Sequence, residues 1–149
     1  MGFKRVVVTG LGAITPLGNT IDELFDNLIK GTSGCELITS FDTTNHKTKF
    51  ACQVKNFDAT KYIDKKEARR MDLFTHFGIA CAVEAVNDSK LDFANLDLGR
   101  VGVIMGSGIG GLETLQNDLS EFGLNGRIPR YNPFFIPKII VNIVSGHIS

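Results

Sequence analysis

Apolar and polar positions fall in blocks along the chain, and the period changes from block to block. Val6, Val7 and Val8 form a β-branched run closed by Gly10 and Gly12, the pattern of a buried strand. "TIDELFDNLIKG" then takes up a helical period. Leu24, Phe25, Leu28 and Ile29 make one apolar stripe. Thr20 is the expected N-cap, Glu23 stands at capping-box spacing, and Gly31 is placed to stop the helix. "GTSGCELITSFDTTNHKTK" reads as a polar loop, and "FACQV" as a short strand. "DKKEARRMDLFTHFGIACAVEAVNDS" predicts one long helix with Asp64 as N-cap and Glu67 at N3. Its middle is rich in small residues, which suits close packing. "VGVIM" (101–105) predicts a strand and "LETLQNDLSEF" (112–122) a helix. "PKIIVNIVSGHIS" (137–149) is nearly all apolar, its length favours helix, and Pro137 suits a first helical turn. Strands alternating with helices predict an α/β domain over 1–149 with a largely parallel, buried sheet. The apolar last segment carries no stop signal, so the chain is expected to be part of a longer product.

Composition narrows the functional classes. Of 149 residues, 43% are hydrophobic and 21% charged, a globular balance. Sixteen basic and sixteen acidic residues cancel, so no bulk field favours nucleic acid or an anionic membrane. No apolar run approaches the ~18 residues of a membrane span. Cys35, Cys52 and Cys81 are odd in number and form no C-x-x-C pair, which argues against a disulfide framework or a zinc site and for a reducing cytoplasm. The start "MGFKRVVVTG" has no signal-peptide pattern, and Val6 breaks the myristoylation pattern.

Gly106, Gly108 and Gly111 in "MGSGIGG" spell G-x-G-x-x-G between a predicted strand and a predicted helix, the context of a dinucleotide site. That fingerprint also requires a second strand ending in Asp or Glu about 20 residues on. Here the helix is followed by "GLNGRIPRYNPFFIP", with no β-branched run and no terminal acid. The plainer role of Gly106, Gly108, Gly110 and Gly111 is to give a strand-to-helix turn positive φ and close backbone approach. A P-loop is excluded, because no Gly-Lys-Ser/Thr follows.

A basic cluster is the remaining chemical signal. Lys65, Lys66, Arg69 and Arg70 fall within six residues at the predicted start of the long helix. Cations there oppose the macrodipole at a few tenths of a kcal/mol each, partly offset by Glu67 and Asp72. Such a run is either a solvated face or a patch for an acidic partner. His46 lies in a polar loop and His76 in a helix with no partner readable from the sequence. Cys81, among Ala and Gly, reads as a small core residue.

"VVVTGLGAITPLGN", "ARRMD", "GSGIGG", "NPFFIP" and "VNIVSGHIS" occur in that order. Together they resemble the amino-terminal part of the β-ketoacyl-acyl carrier protein synthases of bacterial fatty-acid synthesis. The likeness is greatest to the elongating synthase II type, within the thiolase superfamily, and it spans the whole chain. The resemblance implies a thiolase-like, layered α-β-α-β-α fold, of which this is the amino-terminal half, and a homodimer. It implies decarboxylative condensation of an acyl group with malonyl-acyl carrier protein, and no cofactor. The family's nucleophilic cysteine and two catalytic histidines lie beyond "VSGHIS", so no catalytic residue is expected among the 149, and His147 reads as structural. The basic cluster becomes an acyl-carrier docking patch, extended by Arg127 and Arg130. Ile109 is implied to gate an acyl pocket, with Phe134 near it at the dimer interface. The alternatives are a non-catalytic module that dimerises or binds carrier, and the weaker dinucleotide reading.

Overall fold

The computed structural model describes residues 2–149. In chain order its elements are α1 (Ile21–Ile29), β1 (Cys35–Leu37), β2 (Phe50–Cys52), α2 (Lys65–Ala68), α3 (Leu73–Ser89), α4 (Leu112–Leu124), α5 (Phe135–Ile139) and α6 (Ile143–Ile148). Single 3-10 turns fill Ala59–Lys61, Phe93–Asn95 and Leu98–Arg100.

α1 starts and stops where its sequence signals stand. Thr20 Oγ1 accepts from the Glu23 amide at 3.2 Å, and Glu23 Oε2 accepts from the Asn19 amide at 2.7 Å. At the other end Gly31 takes φ +66°, and the Gly31 and Thr32 amides return to the Leu28 and Asn27 carbonyls. That is the Schellman closure, in which a left-handed glycine lets two orphan carbonyls be met. The apolar stripe of α1 is mostly uncovered: Phe25, Leu28 and Ile29 are exposed.

α3 is the element on which the rest is built, and it carries the buried residues Thr75, Gly78 and Ala80. Its small residues let other backbone come close. A Cβ added at Gly78 would sit 2.5 Å from Val144 Cγ1, so α6 crosses α3 at a point that only glycine leaves open. Cβ atoms at Gly10 and Gly12 would meet the Ala85 and Cys81 carbonyls at 2.1 and 2.0 Å. The early segment therefore runs directly along α3. Two carboxylates of α3 pin it: Asp88 Oδ2 accepts from the Leu11 amide, and Glu84 Oε2 from the Ala13 amide. Glu84 Oε1 also accepts from the Ile21 amide at 2.7 Å, tying the start of α1 to the same helix.

Several expectations fail for identifiable reasons. The single helix from Asp64 is two. Asp64 caps α2 through the Lys66 amide, but the Arg70 and Met71 amides then close short turns onto Glu67 and Ala68. Asp72 is extended, at φ −91° and ψ 163°, and α3 begins after it. The Ala68 carbonyl, besides accepting from the Met71 amide, meets His76 Nε2 at 2.8 Å. The last apolar segment also breaks, at Ile140, because the Lys138 and Ile139 carbonyls lie against Gly111 and Gly110. The predicted loop at 31–49 contains β1, which pairs with β2 antiparallel.

The expected parallel sheet is not formed among the described residues, where the only sheet is β1–β2. Residues 3–8 and 101–105 lie outside regular structure, with Val6 91% and Ile104 97% exposed. Their composition asks for neighbours on both faces, and a strand without a hydrogen-bonded neighbour is not a strand. No helix among the described residues is long and apolar enough to cross a membrane.

Candidate functional site

The break between α2 and α3 brings the basic cluster and the glycine loop together. Asp72, freed from capping its own helix, accepts from Thr114 Oγ1 at 2.5 Å. Thr114 lies in the first turn of α4, directly after the glycine loop. A Cβ on Gly111 would come within 2.3 Å of the Lys138 carbonyl and 2.8 Å of Asp72 Oδ2; one on Gly110 would meet the Ile139 carbonyl at 2.1 Å. One corner thus joins the α2–α3 junction, the base of the glycine loop and the end of α5.

Arg70 completes the corner. Its guanidinium carbon lies 5.2 Å from the Phe134 ring centroid, and its Nη1 is 2.8 Å from Glu67 Oε1. Cation–π contact and ion pair hold a flexible cation at a fixed place. Lys65, Lys66 and Arg69 are exposed beside it. Because α2 is only four residues long, Arg69 is its C-cap, where the helix dipole favours a cation. The expected dipole cost therefore does not apply to Arg69 and Arg70. Arg127, at φ +62°, and Arg130 lie exposed in the segment between α4 and α5. That segment ends at Phe134, under Arg70. Tyr131 stacks between Phe122 and Phe135, with centroids 5.8 and 5.6 Å away, and stiffens the return.

The four glycines divide into two pairs. Gly110 and Gly111 are clamped by backbone carbonyls, whereas a Cβ on Gly106 or Gly108 would meet nothing within 4 Å. None of the four has positive φ; Gly31 and Gly126 are the glycines that do. Close approach therefore explains Gly110 and Gly111, and the expectation of positive φ fails. Ile109 stands at the open end, 67% exposed, with its carbonyl accepting from Ser107 Oγ at 3.1 Å. Phe134 is 36% exposed.

The other titratable groups lie elsewhere. Cys81 is half-buried, and burial pushes its thiol up from the ordinary value. His46 packs edge-on against Phe41, with centroids 5.3 Å apart. His147 edges an apolar groove of about 300 Å³ with Ile79, Val83 and Phe93. No cluster of three His, Cys, Asp or Glu among the described residues is arranged to hold a metal. Sequence reasoning missed Asp72 and Thr114 as the latch of the corner. A partial signal was there and went unused: Asp before an apolar run is a helix-start residue, which points to a break at Asp72 but not to its partner.

The family model for "Beta-ketoacyl synthase, N-terminal domain" matches residues 3–149. The chain belongs to the β-ketoacyl synthase family. It is 47% identical over 150 aligned positions to 3-oxoacyl-[acyl-carrier-protein] synthase 2 of Vibrio harveyi, covering all of this chain and 36% of that protein. It is 46% identical to the Synechocystis protein of the same name, covering 96% of this chain and 34% of that protein. This β-ketoacyl synthase chain thus spans about a third of the length of such relatives. Among solved structures it is similar to a ketosynthase described as a "type II PKS acyl-carrier protein in complex with its ketosynthase bound to the hexaketide". The TM-score is 0.77 and the identity 28%, over 99% of this chain and 38% of that one. It is also similar to the ishigamide ketosynthase/chain length factor, with TM-score 0.81 and identity 26%, over 95% of this chain and 35% of that one.

Proposed function

We propose that this chain is the carrier-docking and acyl-pocket portion of a bacterial 3-oxoacyl-acyl carrier protein synthase of the elongating type. The observation that carries the reading is 47% identity to such a synthase along the entire chain. In the complete reaction an acyl group passes to a cysteine thiolate as a thioester. Loss of carbon dioxide from malonyl carrier then generates the carbon nucleophile that attacks this thioester and releases the thiolate. The attack needs hydrogen-bond donors at the developing oxyanion.

The residues described above fit the binding side of that chemistry. Lys65, Lys66, Arg69 and Arg70, with Arg127 and Arg130, present cations to an acidic carrier protein. Arg70 and Phe134 join this patch to the glycine loop, and Ile109 stands at the loop's open end as the gate of the acyl pocket. Residues 3–8 and 101–105 become strands of the layered α-β-α-β-α fold once paired, and Phe134 faces a second subunit of a homodimer. The setting is the cytoplasm. Cys35, Cys52 and Cys81 are not the nucleophile.

Two measurements on the purified chain test the reading. Titration with acyl carrier protein should give binding that weakens as salt rises, and Arg69→Glu should weaken it further at low ionic strength. Incubation with acyl-loaded carrier, followed by mass spectrometry, should leave all three cysteines unacylated. Salt-insensitive binding unaffected by Arg69→Glu would remove the docking patch, and specific acylation of a cysteine would make this chain a catalyst in its own right.

A further inference from the structure

Cys35 and Cys52 are directly opposite each other across the β1–β2 ladder. The register fixes the kind of pair they form. The Ile38 amide donates to the Lys49 carbonyl at 2.9 Å, which makes 38 and 49 a hydrogen-bonded pair. Such pairs alternate along an antiparallel ladder, so Glu36–Ala51 is also hydrogen-bonded, and Leu37–Phe50 and Cys35–Cys52 are not. The Cys35 amide agrees: it donates to Ser33 Oγ at 3.2 Å rather than across the ladder. Non-hydrogen-bonded positions bring Cα atoms to about 4.5 Å with side chains on the same face, within the Cα range of about 4.4–6.8 Å that a disulfide spans. Both thiols are free and exposed. The Cys35 thiol is pushed up from its ordinary value, first by desolvation and then by the neighbouring Cys52 across the ladder.

We infer that Cys35 and Cys52 form a two-electron redox site, closing a cross-strand disulfide when the protein meets a peroxide. One thiolate attacks a peroxide oxygen; the O–O bond breaks, hydroxide leaves and takes up a proton, and a sulfenic acid forms. The second thiolate attacks that sulfur; the S–S bond forms, the S–O bond breaks, and the oxygen leaves as water. Two thiols are oxidised by two electrons, and hydrogen peroxide is reduced to two waters. The pairing is local to the hairpin, so it needs no rearrangement of α3 or of the Arg70–Phe134 corner. Cys81 is half-buried on α3, away from the hairpin, and serves as an internal comparison.

The test treats the purified, reduced protein with limiting hydrogen peroxide and follows it by intact mass and tryptic mapping. Expected is a loss of two hydrogens and a cross-linked pair of peptides, Gly31–Lys47 with Phe50–Lys55, both reversed by dithiothreitol. Cys81 should remain open to alkylation after denaturation. Cys52→Ser should abolish the cross-link and leave Cys35 as a sulfenic acid trapped by dimedone. Independent oxidation of the two cysteines to sulfinic or sulfonic acid with no cross-linked peptide would overturn the proposal. So would a disulfide to Cys81 or between molecules in place of the intramolecular pair.

Discussion

Arg70 lies over the ring of Phe134, with its guanidinium carbon 5.2 Å from the ring centroid, while its Nη1 reaches Glu67. The contact couples the basic cluster to the segment that enters α5. Cation–π pairs at partly exposed sites contribute about 0.5–1 kcal/mol, and an exposed i,i+3 ion pair less. A double-mutant cycle with Arg70→Met and Phe134→Leu, followed by urea unfolding, should give a coupling of about 0.5–1 kcal/mol. A coupling indistinguishable from zero would show that the stacking is incidental. Arg70 also has this structural role, so Arg69→Glu is the cleaner probe of docking.

Glu84 holds two separate segments with one carboxylate. It accepts from the Ala13 and Ile21 amides at 2.8 and 2.7 Å. Hydrogen bonds to a charged acceptor contribute about 1.5–3 kcal/mol each, and both are part-buried here. Glu84→Ala should therefore be among the costliest single substitutions on α3, at about 3 kcal/mol or more. Glu84→Gln keeps one acceptor and should lose about half as much. Equal effects of the two substitutions, measured by thermal unfolding, would show that packing rather than the carboxylate matters.

Caps and small residues made much of this legible from the chain alone. Thr20, Glu23 and Gly31 bound α1 as expected, because each acts on backbone within a few residues. The small residues of "FGIACAVEA" announced close packing, and Gly78 and Ala80 are buried there. What the sequence could not show was long-range. Asp72 breaks a helix because Thr114, 42 residues on, takes its carboxylate. The strands read at 3–8 and 101–105 have the right composition but no ladder among the described residues, since strand formation depends on a neighbour. β1 was hidden in a polar loop because three residues are too few for a period to register.

Gly78 and Val144 should show compensating mutations. A Cβ at Gly78 would sit 2.5 Å from Val144 Cγ1, and Val144 is only 3% exposed. Alanine gains up to about 1 kcal/mol of helix propensity over glycine, while overpacking costs about 1–3 kcal/mol. Gly78→Ala alone should be neutral to destabilising. Combined with Val144→Ala, which vacates the space, it should be more stable than the sum of the two single changes by at least about 1 kcal/mol. Strict additivity in chemical denaturation would mean that α6 shifts freely on α3.

Cys81 should resist alkylation while the protein is folded. Burial raises its thiol above the ordinary value of 9.0, so the folded state holds the proton more tightly than the unfolded chain. Its contribution to stability is complete below the unfolded value and is lost as pH rises through the folded one. Stability should therefore fall through the alkaline range above about pH 9, and less so in Cys81→Ala. Iodoacetamide at pH 8 should label Cys81 at least about tenfold more slowly in buffer than in denaturing urea. Equal rates would place the thiolate in free contact with solvent.

The loop "GSGIGG" should tolerate substitution at one end and reject it at the other. A methyl group on Gly106 or Gly108 meets nothing, and neither residue has positive φ. Gly106→Ala and Gly108→Ala should then be neutral or stabilise by about 0.4–1 kcal/mol, by restricting the unfolded chain. Gly110 and Gly111 face the Ile139 and Lys138 carbonyls at 2.1 and 2.3 Å from an added Cβ, and these are backbone atoms that cannot swing aside. Alanine at either position must push α5 away or break the Asp72–Thr114 latch, at about 1–3 kcal/mol or more. Ile109→Ala, on an exposed side chain, should stay within about 0.5 kcal/mol. Five alanine variants and one denaturation series separate the clamped base from the open arm. A uniform cost at all four glycines would mean that the loop is held along its whole length, and Ile109 would then have no freedom to act as a gate.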